Sequence, residues 1–182
     1  MTPSFHILTG GPGSGKTSLA EALASRGLTV MQEAGRAIIR SQMAIGGNAL
    51  PWADRAAFAE AMLHWELRSY EEAQRAQGPV LFDRGMPDLI GYLTLCGLPI
   101  PAHMRRACDL RRYHPTIFLA PHWPDIYRRD AERRQSGEEA EATCAVMRHC
   151  YQELGYRVVE LPLVPVAERA LFVLANIQRR PG

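Results

Sequence analysis

The string Gly10-Gly11-Pro12-Gly13-Ser14-Gly15-Lys16-Thr17 fits G-x-x-x-x-G-K-[ST], and its lysine is the only lysine in the chain. Of 21 Lys+Arg residues the other 20 are arginine, so general surface charge is carried without lysine. Each residue type has a chemical reason to be there. Glycines let the backbone wrap a polyphosphate with its N–H groups pointing inward. A helix starting near Gly15 adds the positive end of its dipole. Lys16 can reach β- and γ-phosphates as a mobile point charge, and the Thr17 hydroxyl can ligate Mg²⁺. The candidate nucleotide-binding set is therefore Gly10, Gly11, Pro12, Gly13, Ser14, Gly15, Lys16, Thr17 and Ser18. A ligand-free glycine turn would require neither the lysine nor the threonine.

A second constellation is Val80-Leu81-Phe82-Asp83, a hydrophobic strand presenting an acid at its end, the Walker-B form. Such an acid can hold Mg²⁺, usually through water, or accept a proton from a substrate hydroxyl. The bland alternative is a helix-capping aspartate or one paired with Arg84. Arg84 could itself hold substrate or phosphate, or pair with Asp83 or Asp88. Glu33 is placed to act as a base or substrate-binding acid, or to pair with Arg36 or Arg40 on the following helix. A third feature is Tyr127 to Arg134, where Arg128, Arg129, Arg133 and Arg134 fall within seven positions. A charged helix is usually a solvated face. Behind a fourth strand, though, it is where phosphoryl-transfer enzymes carry a lid whose arginines neutralise the transferring phosphate.

The elements that must position these residues alternate along the chain. Strands are expected at Phe5–Thr9, Leu28–Met31, Val80–Phe82, Thr116–Ala120 and Arg157–Leu161. Helices are expected at Thr17–Ala24, Ala34–Ala44, Pro51 to about Gln77, Asp88–Cys96, Ala102–Tyr113, Glu138–Leu154 and Pro165–Gln178. Phe58, Met62 and Trp65 read as a core stripe of the long helix, and His6 as a core histidine. The alternation indicates an α/β protein with a five-stranded parallel sheet covered by helices on both faces, three layers in all. Ligands gather at the carboxyl ends of such strands. Glu33, Asp83, the Trp123 region and the Pro162 loop should converge there on the glycine loop.

With 182 residues, 47% of them hydrophobic and 22% charged, one domain over residues 1–182 is expected. A formal net charge of +2 gives no footprint for nucleic acid. Cys96, Cys108, Cys144 and Cys150 show no C-x-x-C or zinc spacing and read as reduced thiols. No signal peptide is visible, and apolar runs are far shorter than the ~18 residues of a membrane span. A cytoplasmic protein with no membrane or nucleic-acid partner is expected. Oligomeric state is not legible.

The chain resembles the P-loop family labelled AAA-type ATPase, NadR-like. The resemblance rests on the glycine loop, "QEAGR" at 32–36, "FDRGMPDLIGY" at 82–92, "YRRDAERRQ" at 127–135, "YQELGYRVVELP" at 151–162 and "VAERALFVL" at 166–174. It implies a nucleoside/nucleotide kinase-like P-loop fold with an arginine-rich lid at about 123–137, ATP binding, and Arg128 and Arg133 as the lid arginines at the phosphate. An appended helical domain of ring-forming AAA+ motors is not expected. Two functions compete. The first is a kinase moving the ATP γ-phosphate to a small-molecule hydroxyl, with Lys16, Glu33, Asp83, Arg84, Arg128 and Arg133 catalytic and Thr17 and Asp83 at Mg²⁺. The second is a nucleotide-gated regulatory module with slow ATPase activity. A GTPase switch is disfavoured, because the guanine-reading N-K-x-D motif needs a second lysine.

Overall fold

A computed structural model describes residues 4–124 and 137–178. Five strands form one sheet: β1 (Phe5–Gly10), β2 (Thr29–Met31), β3 (Val80–Asp83), β4 (Thr116–Ala120) and β5 (Arg157–Glu160). Every pairing is parallel and the order is β2-β3-β1-β4-β5. The three central strands are buried throughout, which explains why they read as continuous apolar runs. Among the described residues seven helices surround the sheet: α1 (Lys16–Ala24), α2 (Ala34–Ile45), α3 (Arg55–Ala73), α4 (Met86–Leu95), α5 (Ala102–Leu110), α6 (Gly137–Glu153) and α7 (Val166–Gln178).

Successive strand residues point to opposite faces, so each central strand feeds two cores. On one face Leu8, Leu81 and Phe118 pack with Leu19 and Leu23 of α1 and Ala170 and Val173 of α7. On the other, Ile7, Phe82, Ile117 and Leu119 pack with α3, α4 and α6 through Leu63, Leu89, Leu93 and Met147. A buried Leu, Ile or Phe contributes roughly 1.5–3 kcal/mol relative to exposure. The sheet is thereby a rigid platform whose carboxyl ends carry the loops of interest.

Of the helix boundaries that differ from the sequence reading, two have a clear local reason. α3 begins at Arg55 and not at Pro51, because Asp54 caps it: the Asp54 side chain accepts from the Ala57 N–H at 2.9 Å. Leu50 to Ala53 instead form a turn closed by Ala53 N–H donating to the Leu50 carbonyl. α5 stops at Leu110, short of Tyr113. Tyr113 is drawn into the core against Phe82, with ring centroids 5.2 Å apart and nearly perpendicular. Its hydroxyl accepts from the Met86 N–H at 3.3 Å, tying the start of α4 to the core.

Candidate active site

β1 delivers the glycine loop to the sheet's carboxyl edge. Gly10 lies against β4 so closely that a β-carbon would collide with the Ala120 carbonyl, which is why the loop opens on glycine. Gly15 caps α1 at φ 80°, a left-handed conformation, and turns the chain into the helix. Inside the loop the Gly11 carbonyl accepts from Ser14 Oγ at 2.8 Å and from Lys16 Nζ at 2.6 Å. Lys16 thus lies buried across its own loop. Burial, reinforced by the Arg84 charge and opposed by Asp83, Glu33 and Asp88, lowers its pKa to about 7. Thr17 and Ser18 are exposed on the first turn of α1.

Arg169 of α7, 2% exposed, braces this loop from behind. Its Nη1 donates to the Ser14 carbonyl at 2.8 Å and its Nε to the Pro162 carbonyl at 2.9 Å. The guanidinium lies over the Trp123 ring, 4.8 Å from the centroid. The β4 end, the β5–α7 loop and the glycine loop are therefore joined, as expected for the Trp123 and Pro162 regions.

β3 ends in Asp83, 4% exposed, whose Oδ1 has no hydrogen-bond partner among the described residues. Burial raises its pKa, against the opposing pull of Lys16 and Arg84. Asp83 caps no helix; the carboxylate at the start of α4 is Asp88, whose Oδ2 accepts from the Gly85 N–H at 3.0 Å. Arg84 is the one non-glycine residue with positive φ (72°) among the described residues. That conformation stores on the order of 1–3 kcal/mol and persists only where neighbours over-determine it. They do: its N–H donates to the Leu8 carbonyl, its Nε to Glu33 Oε1 at 3.2 Å, and its Nη1 to Asp88 Oδ1 at 3.1 Å.

Glu33 therefore pairs with Arg84 and with neither Arg36 nor Arg40, and Arg84 chooses Asp88 and Glu33 over Asp83. Burial opposes ionisation of Glu33, but Arg84, Lys16 and Arg36 outweigh it and hold its carboxyl below the usual range. Asp88 also accepts from Thr9 Oγ1 at 2.5 Å and from the buried Tyr151 hydroxyl at 2.6 Å. Its four donors come from β1, the β3–α4 turn and α6.

Lys16, Thr17, Glu33, Asp83, Arg84, Asp88 and Arg169 all line one cavity of about 1400 Å³. Residues 12–18 line one end, with Trp123, Pro165 and Arg169. Glu33, Asp83, Arg84 and Asp88 form the middle of the floor. Beyond them α2, α3 and α4 add Ile39, Phe58, Met62, Glu66, Leu89 and Tyr92. A smaller concavity of about 480 Å³ at the opposite end of the sheet, near Ser4 and His114, holds none of these residues. Arg128 and Arg133 lie outside the described residues, as does most of the 123–137 segment. No described cluster of three or more His, Cys, Asp or Glu side chains could hold a metal alone. No helix among the described residues is long and apolar enough to cross a membrane.

Three contributors escaped the sequence reading: Asp88 as a hub, Arg169 as a brace, and Glu66. Asp88 and Arg169 carried no local signal beyond lying in the strings of the resemblance. Glu66 did carry one, because it follows Phe58 and Met62 at one-turn intervals and breaks an otherwise apolar stripe.

The parallel order, with the glycine loop between β1 and α1 and an acid ending the neighbouring strand, is the fold of P-loop kinases. The model of the AAA domain family matches residues 5–169, and the chain belongs to that family. Among solved structures it is similar to the NadR protein in complex with NR, at 17% identity and a TM-score of 0.73, covering 99% of this chain and 52% of that one. It is also similar to a deoxyadenosine kinase from M. mycoides, at 11% identity and a TM-score of 0.64, covering 95% and 98%. Shikimate kinase from Acinetobacter baumannii in complex with shikimate follows at 15% identity and a TM-score of 0.53, covering 97% and 93%. At these identities the likeness is one of fold. No curated protein is a significant match.

Proposed function

We propose that the protein is an ATP-dependent kinase that transfers the γ-phosphate to a hydroxyl of a small metabolite. The observation that carries this reading is that one cavity holds room for donor and acceptor together. Its glycine-loop end suits the nucleotide phosphates, and a second, apolar-walled compartment lies beyond Asp83 and Arg84. A nucleotide-gated module needs only the first compartment.

In this reading the loop N–H groups hold the phosphates, and Lys16 leaves the Gly11 carbonyl to bind them. Arg84, fixed between Glu33 and Asp88, supplies a preorganised positive charge beside the transferring group. Two carboxylates whose environments push their proton affinities apart divide the remaining work. Glu33 stays ionised and orients Arg84. Asp83, with a free oxygen and a raised pKa, takes the proton of the acceptor hydroxyl. Thr17, exposed at the start of α1, and Asp83 acting through water fit a Mg²⁺ ion. When bound, that ion neutralises charge on the phosphates. Arg128 and Arg133 would close over the γ-phosphate from the lid.

The test is an acceptor screen: ATP consumption with Mg²⁺ across nucleosides, sugars, vitamins and aminoglycosides, with the phosphorylated product identified by mass spectrometry. One acceptor class should raise turnover far above the ATP-only rate. Arg128→Ala and Arg133→Ala should each lower that turnover by at least ~10²-fold. Tight ATP binding with no stimulating acceptor, and lid variants at wild-type turnover, would favour the nucleotide-gated module.

A further inference from the structure

α3 presents Phe58, Met62 and Glu66 to the cavity on successive turns, so the stripe runs apolar, apolar, acidic into the interior. Glu66 is 5% exposed. It has no hydrogen-bond or ion-pair partner among the described residues, yet it lines the cavity. Its carboxyl is not sealed inside the protein but opens on the cavity, on a wall where Phe58 and Met62 would pack equally well beside a leucine or methionine. The residue therefore sets an acidic group on an otherwise apolar wall, where it is positioned to pair with a ligand group.

The surroundings narrow that group. Phe58 and Tyr92 stand edge to face, 5.7 Å between centroids, and with Met62 and Leu89 give the compartment apolar walls. Such walls suit the flat faces of a ring and not a polyol, which is polar on all sides. The floor bears four acids, Glu33, Glu66, Asp83 and Asp88, against Lys16 and Arg84; the other arginines of this compartment, Arg36 and Arg40, are exposed. An anionic substituent at this depth is disfavoured. Burial first, then the fields of Asp88, Asp83 and Glu33 against that of Arg84, raise the Glu66 pKa well above the usual carboxyl range. Either protonation state leaves an oxygen able to accept a hydrogen bond.

We propose that Glu66 is the specificity residue of the acceptor compartment, and that it recognises an uncharged or cationic planar heterocycle by accepting a hydrogen bond from an amino group on the ring edge. This names the acceptor class for the kinase reading and rests on that reading for the word acceptor. The recognition itself can be measured without phosphoryl transfer.

The experiment is calorimetric titration of the full-length protein, without ATP, using nucleosides that differ by one amino group. Adenosine is compared with purine riboside, and cytidine with its 4-deamino analogue, pyrimidin-2-one riboside. In at least one pair the wild type should favour the amino-bearing member by about tenfold or more, since a site built to pair a donor rejects the analogue lacking it. Glu66→Leu should bring the two members within about twofold, while Glu66→Gln, which keeps an acceptor oxygen, should retain part of the preference. Circular dichroism checks that each variant is folded; should Glu66→Leu fail to fold, the Gln variant decides. No preference in the wild type, no binding of any of the four, or a preference unchanged in the folded variants would each overturn the proposal. A preference that depends on Glu66, with no phosphorylated product when ATP and Mg²⁺ are added, would keep the recognition and defeat the kinase reading. Turnover with an unrelated acceptor, insensitive to Glu66, would do the reverse.

Discussion

Glu33 and Arg84 lie 51 residues apart in sequence and meet at 3.2 Å, carboxylate Oε1 to guanidinium Nε, across the ends of β2 and β3. Neighbouring strands in the sheet are what bring them together. Both side chains are more than two-thirds buried, so the pair is worth more than a surface ion pair. A double-mutant cycle with Glu33→Gln and Arg84→Gln in urea should give a coupling energy of about 1 kcal/mol, within the ~0.5–3 kcal/mol range for residues in contact. Coupling near zero would mean that Arg84 is held by Asp88 alone.

Lys16 is buried on its own loop carbonyl, and this has consequences for both stability and binding. Its folded pKa of about 7 lies below the unfolded value of 10.5. Between those values the unfolded chain holds a proton that the folded chain does not, so this group makes stability rise with pH across that window. Lys16→Met removes the penalty. It should raise the apo melting temperature at pH 7 while weakening ATP binding by tens- to hundreds-fold, or roughly 2–4 kcal/mol. Because phosphates favour the charged amine, ATP binding at pH 8 should take up protons. Calorimetry in buffers of different ionisation enthalpy measures that uptake, and it should vanish in the methionine variant.

Asp83 and Glu33 are separable by their pH behaviour. Burial raises the Asp83 pKa, whereas Arg84 and Lys16 hold that of Glu33 down against the effect of burial. The acid limb of kcat/KM, measured with the acceptor found in the screen, should therefore fall above the ordinary aspartate range. Glu33→Gln should lower kcat and leave that limb in place. Asp83→Asn should lower turnover by about 10²-fold or more and abolish the limb, with little loss of melting temperature. A limb that disappears in Glu33→Gln instead would make Glu33 the base.

His6 in β1 provides a control outside the active site. Burial, helped by repulsion from His114, whose ring centroid lies 4.5 Å away, lowers its pKa from 6.5 to about 4. The unfolded chain binds a proton first as pH falls below 6.5, so stability drops through that window and the loss is complete near pH 4. The shift corresponds to about 3 kcal/mol at most. In denaturant titrations between pH 7 and 4, His6→Phe should show a shallower decline than the wild type.

The elements legible in the sequence were those whose chemistry is contiguous. A phosphate loop binds through the backbone of adjacent residues, so Gly10 to Thr17 identify it without knowledge of any distant partner. Buried parallel strands read as apolar runs, and their alternation with helices leads to the sheet. The lid arginines rest on a charge cluster behind the fourth strand and on the family resemblance, and they fall outside the described residues. What tertiary structure alone decided was pairing and direction. Glu33 could have turned to Arg36 or Arg40 on the helix that follows it, and only the placement of β2 beside β3 gave it Arg84. Asp88 became a hub because β1 and α6 bring Thr9 and Tyr151 to it. Glu66 breaks an apolar stripe in the sequence, but the stripe does not say what the acid faces. Whether that side chain meets packed protein or open cavity depends on how far α2, α3 and α4 stand apart, a distance set by side chains on three separate helices and encoded in no single stretch of the chain.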